Sequence, residues 1–401
     1  MTQPIELPVL RLQEGRDRRV RNGHPWIYSN EIQMTPAAKA LPPGQLVRVV
    51  DAGGTNLGIF GFNPHTLIAA RLMAHDPRVV IDTGLLATRL RRALELRQRF
   101  FPTPHYRLIH AEADGFPGLV VDRYGDVLAV QLNTAMMEAL RAPLLVALQE
   151  VLQPRAIVLR NDSSSRTLEG LALDTEIAKA DPELDLTKPI EILENGGRFL
   201  VDVLDGQKTG WFYDQRDNRA AAAHLAKGAR VLDVYTYAGG FGVQAGLAGA
   251  SEVVLVDRSR PALDRGLAAA ELNGVANVSA MQGDGVFVMD QLFTDKERFG
   301  LVIADPPAFV KSKKDLNAGL RGYRKMIRSA ASVVTPGGFL LAASCSHAVD
   351  VEAFTNEMRA GLAKAGRTGR ILRQAGAGPD HPVHPFLPES AYLKAILVQL
   401  D

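Results

Sequence analysis

Four carboxylates and one thiol in the second half of the chain stand in or just beyond short runs that read as strands. Asp233 interrupts the run at 231–235, Asp257 follows 253–256, Asp284 comes after 276–282, Asp305 follows 301–304 and Cys345 lies just beyond 339–343. The first run reads RVLDVYTYAGGFG from Arg230 to Gly242, with Val231, Leu232, Val234 and Tyr235 as β-favouring residues ahead of Gly239, Gly240 and Gly242. A glycine-rich turn between a strand and a helix at 241–250 lets a ligand approach bare backbone, where the first N–H groups of the helix lack partners. An acid at the end of the next strand, about twenty residues further on, suits the two hydroxyls of a ribose, and Asp257 is that acid. The pattern predicts a nucleoside-cofactor site.

The turn gives G-G-x-G, and the dinucleotide fingerprint G-x-G-x-x-G is absent. Pyrophosphate depends on that spacing. The methionine end of S-adenosylmethionine instead carries an ammonium, which an acid at Asp233 suits. Asp284 could accept from an adenine amino group, and Phe287 could cover a ring. These features favour S-adenosylmethionine over a dinucleotide, and a nucleoside cofactor over an α/β core with incidental glycines. Cys345 is the chain's one cysteine and sits between Ser344 and Ser346. A lone cysteine is most often a small buried hydrophobe. At a strand end opposite an Asp305-Pro306-Pro307 loop it is also placed to act as a nucleophile.

Positioning such a site takes a doubly wound sheet, whose ligands lie beyond the carboxyl ends of its strands. With 401 residues the chain exceeds one ordinary core, and three domains are expected at 1–74, 75–182 and 183–401. The fold class is α/β: a Rossmann-like, seven-stranded C-terminal domain preceded by a small all-β barrel and a central α+β domain. Lys and Arg total 46 against 44 acids, so net charge names no partner. The absence of a long apolar run or signal-peptide core predicts a cytoplasmic protein away from membranes. One cysteine excludes an intrachain disulfide and a multi-cysteine zinc site, and no metal is expected.

The first domain shows apolar runs at 8–12, 45–51, 57–62 and 67–73. Arg16, Arg18, Arg19 and Arg21 precede His24-Pro25-Trp26-Ile27-Tyr28, a mixture that suits RNA phosphates and stacked bases. A solvated charge run beside a core tryptophan accounts for it equally. In the central domain a helix is expected at 81–100, capped near Asp82 or Thr83, with Leu86, Leu90, Ala93 and Leu94 inward and Arg89, Arg91, Arg92, Arg97 and Arg99 largely outward. A hairpin at 119–124 and 127–132, a helix at 134–152 and a strand at 156–159 follow, with a linker at 181–189. The last domain opens with strands at 190–193 and 198–203 and an aromatic stretch around Phe212 and Gln215 that could wall the cofactor pocket. It continues after strand four with Lys311-Ser312-Lys313-Lys314 and a helix at 316–334. Pro336-Gly337-Gly338, strand five at 339–343, a helix at 351–365 and apolar runs at 371–373 and 392–398 complete it.

The segments HPWIYSNEI, DGFPGLVVDRYG, QKTGWFYDQRDNR, DPPAFVKSK and SCS together closely resemble the RlmI-type ribosomal RNA large-subunit methyltransferases, which make 5-methylcytosine in 23S RNA. The resemblance implies an N-terminal PUA domain that binds RNA, a central β-rich module and an S-adenosylmethionine-dependent methyltransferase domain. It puts the family's motif-one segment on Asp233 to Gly242, which includes Tyr235, Ala238, Gly239 and Gly240, its ribose acid on Asp257 and its adenine-side acid on Asp284; Arg258, Asp305, Phe212 and Gln215 are further cofactor candidates. Cys345 is then the nucleophile and Asp305 the acid of the substrate loop. Arg18, Arg19, Arg21, Trp26, Arg91 and Arg92 are candidate RNA contacts, large-subunit ribosomal RNA is the partner, and a homodimer is compatible with all of this. Many RNA cytosine methyltransferases carry a second cysteine after the strand-four proline. Here that segment is Asp305-Pro306-Pro307-Ala308, so another base must assist product release. A guanine or adenine nitrogen methyltransferase would share the cofactor site without needing Cys345, a nicotinamide oxidoreductase would bind dinucleotide, and a non-catalytic RNA-binding protein would keep only the basic surface.

Overall fold

The structure, a computed structural model, describes residues 6–401 apart from Lys208 and Lys311, which leaves one residue each of the QKTG and DPPAFVKSK segments outside the described residues. Contacts divide the chain into two compact units. The first is Met1–Pro189 with Asp202–Trp211 and Pro379–Ser390; the second is Ile190–Val201, Phe212–Gly378 and Ala391–Asp401.

The first unit holds two five-stranded sheets. Strands β1 (Val9–Arg11), β2 (Trp26–Tyr28), β3 (Gln45–Val50), β4 (Asn56–Phe62) and β5 (Ile68–Ala74) pair in the order β1-β3-β4-β5-β2. A bridge between Leu12 and Ile32 joins the residue after β1 to the segment after β2, so the two edges of the sheet meet. Leu10, Leu12, Ile27, Val47, Val49, Phe60 and Phe62 fill its interior. The second sheet runs β10-β9-β8-β7-β6, from β6 (His105–His110), β7 (Leu119–Tyr124), β8 (Val127–Leu132), β9 (Ala156–Asn161) and β10 (Asp174–Ala180). The helix Thr83–Phe100 is capped by the Asp82 carboxylate, which accepts from Leu85 N–H, and buries Leu86, Leu90 and Ala93. The stretch expected as one helix at 134–152 is two, Ala135–Ala139 and Arg141–Leu152, the first capped by the Thr134 hydroxyl.

The second unit opens with a hairpin, β11 (Ile190–Glu194) and β12 (Gly197–Val201). Asn195 and Gly196 turn it with φ of 50° and 82°, as a two-residue turn requires. Its main sheet has seven strands: β13 (Arg230–Val234), β14 (Glu252–Asp257), β15 (Val278–Gln282), β16 (Phe299–Ala304), β17 (Val334–Ser344), β18 (Gly369–Ala375) and β19 (Lys394–Leu400), in the order β15-β14-β13-β16-β17-β19-β18. Only β19 pairs antiparallel to its neighbours. Alternate residues enter different cores: Leu232, Val234, Val302 and Ala304 on one face, Val231, Leu301 and Ile303 on the other. Both faces are therefore dry, which is why these strands read as unbroken apolar runs. Strand β17 begins at Val334, ahead of the Pro336-Gly337-Gly338 stretch that punctuates the sequence. Phe299 pairs with Val334 and Leu301 with Phe339, so the proline and glycines form a bulge inside the strand.

Candidate active site

The period-two alternation of β13 turns Asp233 to the same face as Val231, where the helix Gly240–Leu247 packs. The backbone between them is strained, with Tyr235 at φ 64° and Tyr237 at φ 51°, both in the left-handed region. Each such residue costs about 1–3 kcal/mol and persists where the surroundings enforce it. Asp233 is 1% exposed. Its Oδ2 accepts the Gly242 N–H at 2.8 Å and the Thr236 hydroxyl, while its Oδ1 has no partner among the described residues. Burial raises its pKa to about 6, with the charge of Asp257 acting in the same direction. The glycines here answer to packing: a Cβ at Gly242 would lie 2.3 Å from Leu255, and one at Gly239, whose φ is 80°, would lie 2.9 Å from the Gly266 Cα.

Asp257 ends β14, and its two oxygens accept the N–H groups of Tyr237 and Ser259, each at 2.9 Å. It thus fixes the glycine-rich loop while keeping further lone pairs. Asp284 caps the helix Gly285–Thr294 by accepting from Phe287 N–H at 3.1 Å and pairs with Arg258. Phe287 is 69% exposed beside it. Ala238 is buried, and the ring of Phe212 meets Tyr237 edge-on at 5.2 Å. Gln215 is buried too, its amide oxygen accepting from Asn218 at 2.7 Å.

The thiol lies across the same end of the sheet. The parallel pairing of β13 with β16 and of β16 with β17 brings Asp305 and Cys345 to their shared carboxyl end, and the Asp305 N–H donates to Val234 O at 3.4 Å. The serines beside Cys345 are structural. Ser346 Oγ accepts the Val310 N–H at 3.2 Å and shares a hydrogen bond of 2.7 Å with the Tyr323 hydroxyl, which lies 3.4 Å from the Phe309 N–H. The Asp-Pro-Pro loop is thereby tied to the turn carrying the thiol. Lys394 enters from β19, opposite Ser344, and donates to Ser346 O at 2.6 Å and Tyr392 O at 2.7 Å. Sequence reasoning missed Tyr323 and Lys394 and read Ser346 only as a neighbour of the thiol, because the bonds from Ser346 to Val310, Tyr323 and Lys394 join residues far apart in the chain. Among the described residues no group of three or more metal-ligating side chains converges, and no helix is long and apolar enough to cross a membrane.

Residues 151–398 match the S-adenosylmethionine-dependent methyltransferase family, and residues 10–75 match a PUA-like domain. The ribosomal RNA large subunit methyltransferase I of Erwinia tasmaniensis is 36% identical over 388 residues, covering 96% of this chain and 97% of that protein. The relative of the same name from Aeromonas hydrophila is 36% identical over 395 residues, covering 97% and 98%. The chain belongs to the ribosomal RNA large subunit methyltransferase I family. A solved candidate SAM-dependent methyltransferase from Streptococcus mutans shares the fold, with a TM-score of 0.82 at 21% identity over 98% of this chain and 100% of that one. The cofactor is S-adenosylmethionine. The residues present fit it: a buried carboxylate oxygen without a partner among the described residues suits its ammonium, and an acid at the end of β14 suits its ribose.

The RNA-side candidates of this family member lie in the first unit. Arg18, Arg19 and Arg21 are exposed on the short helix Arg18–Arg21. Arg19 pairs with Glu31 at 3.2 Å and lies over the Tyr28 ring, Arg21 pairs with Asp17 and Asp51, and Arg18 makes no ion pair among the described residues. Trp26 is half-buried; its N–H donates to Glu112 at 2.7 Å, and the Arg71 guanidinium lies 5.1 Å from its ring centroid. Arg91 and Arg92 are exposed, the former paired with Glu150. The expected outward stripe is corrected at two positions. Arg97 is fully buried and bidentate on Asp114 at 2.7 Å, and Arg89 turns in to donate to the carbonyls of Met73 and Gly115. Buried arginine survives where a carboxylate or carbonyls take its donors.

Proposed function

We propose that the protein transfers a methyl group from S-adenosylmethionine to carbon 5 of a cytosine in 23S ribosomal RNA, in the cytoplasm, through a covalent bond between Cys345 and carbon 6. What supports this above all is the thiol's place at the carboxyl end of β17, in a turn tied through Ser346 to the Asp-Pro-Pro loop. Residues 1–74 and the basic positions Arg18, Arg19, Arg21, Arg91 and Arg92 would hold RNA, residues 75–182 would space the modules, and residues 183–401 would carry the chemistry. Asp233 would face the cofactor's ammonium, Asp257 its ribose and Asp284 its adenine.

Carbon 5 of cytosine is a weak nucleophile. Addition of the Cys345 thiolate to carbon 6 turns the ring into an enamine that attacks through carbon 5. The cofactor supplies an electrophilic methyl group on a sulfonium. Asp305 would hold the exocyclic amine or the protonated ring nitrogen during the addition. Loss of the carbon-5 proton to a base then breaks the carbon–sulfur bond and returns the thiolate. RNA bearing 5-fluorocytosine at the target has no such proton, so the wild-type protein is expected to stay bonded to it through a denaturing gel. The adduct should require S-adenosylmethionine and vanish in Cys345→Ala. Methylation of this RNA without an adduct would favour a nitrogen methyltransferase, whose ring or exocyclic nitrogen attacks without a thiol.

A further inference from the structure

Lys394 is a buried cation that the proposed chemistry leaves without a role. It is 3% exposed, and two of its three N–H donors go to the carbonyls of Ser346 and Tyr392. Ser346 directly follows Cys345, and Lys394 pairs through its backbone with Ser344, which directly precedes it. The ammonium is therefore packed against the three-residue turn that presents the thiol. We propose that Lys394 is a positioning residue for the nucleophile: its ammonium anchors the Ser344–Ser346 turn and holds Cys345 as the thiolate. A cation buried at short range acts on a thiol in a low dielectric, where Coulomb attraction is several times stronger than in water.

The surrounding titratable groups are consistent with this. Cys345 and Asp350 both favour the charged form of Lys394, against burial, which lowers its pKa to about 8. From the helix Leu316–Ser332, Tyr323 bonds to Ser346, and burial raises its pKa, so it is neutral near pH 7. His347 stacks on Tyr392, whose hydroxyl donates to Asp214. Lysine and thiol then titrate as a pair, and the effect should fade above about pH 8 as the lysine loses its own proton.

The inference rests on Cys345 being the nucleophile, but its test needs no methyl transfer, so the two can fail separately. Because the chain has one cysteine, iodoacetamide alkylation followed by mass spectrometry reports on Cys345 alone. The wild-type rate against pH should show a midpoint at least about one unit below the roughly 8.5 of a free thiol. Lys394→Met should move that midpoint up and slow alkylation at pH 7 about tenfold, and Lys394→Arg should restore it in part. S-adenosylhomocysteine binding by calorimetry checks that the variants fold. Coincident profiles for wild type and a folded Lys394→Met would overturn the proposal. If Lys394→Met does not fold, a wild-type midpoint at or above about 8.5 overturns it, and a lower one supports it.

Discussion

At the carboxyl ends of β13 and β14 the loop is strained and the carboxylate of Asp233 keeps one oxygen without a partner among the described residues, whereas the ends of β16, β17 and β19 are laced together. Asp233 has a pKa raised by burial, beside two tyrosines in left-handed backbone. Around Cys345, by contrast, Ser346, Tyr323 and Lys394 bond to one another's elements through side chain and backbone. The difference matches what each end must do. If Asp233 faces the ammonium, which the cofactor keeps before and after methyl transfer, the site needs a carboxylate whose bonding is completed only by the ligand. If Cys345 is the nucleophile proposed above, it must meet one ring carbon, which needs a turn that does not move.

Cys345→Ala separates the two ends most sharply. Methyl transfer should fall at least about a thousandfold, while S-adenosylmethionine affinity by calorimetry stays within about twofold because in the proposed mechanism the thiol acts on the base. A large loss of cofactor affinity would mean that the two ends are one site energetically. Next in size, Asp233→Asn should weaken S-adenosylmethionine about tenfold or more, since a charge-assisted bond is worth about 1.5–3 kcal/mol. Wild-type affinity should also fall as pH drops through about 6, where Asp233 takes up a proton. Stability of the ligand-free protein has the opposite sign. A carboxylate with a raised folded pKa binds more protons folded than unfolded between its ordinary 3.8 and about 6, so its cost is fully present above pH 6 and is relieved on acidification. Affinity independent of pH between 5 and 7.5 would remove Asp233 from the ammonium's site.

The sequence made the cofactor end more legible than the thiol end, for a physical reason. Strands β13, β14 and β16 are buried on both faces, so they appear as apolar runs, and the acids at Asp233 and Asp257 stand out against them. Strand β17 was hidden in part because Pro336-Gly337-Gly338 ends most strands but forms a bulge in this one. Strand β10 is polar and mostly exposed, and three-residue β2 is too short to show a period. Lys394 could not be found at all, since its acceptors are main-chain carbonyls that carry no residue signature. Arg97 looked like its neighbours Arg91 and Arg92 because only the fold reveals that Asp114 is opposite it.

The distinction between completed and open bonding also sorts the arginines that precede Trp26, and it yields the smallest effect. Arg19 and Arg21 already face carboxylates, so neutralising either removes a charge that is partly compensated within the protein. Arg18 is exposed and makes no ion pair among the described residues. If this surface holds RNA, Arg18→Ala should weaken binding a fewfold and reduce the slope of log affinity against log salt by about 0.7–0.9, the release of one phosphate contact. Arg21→Ala should change the slope less, because its guanidinium must leave Asp17 and Asp51 to reach a phosphate. Binding curves at several salt concentrations with a ribosomal RNA fragment measure both. Equal slopes for wild type and Arg18→Ala would mark the cluster as solvated surface, and a larger change for Arg21→Ala would show that RNA displaces the carboxylates.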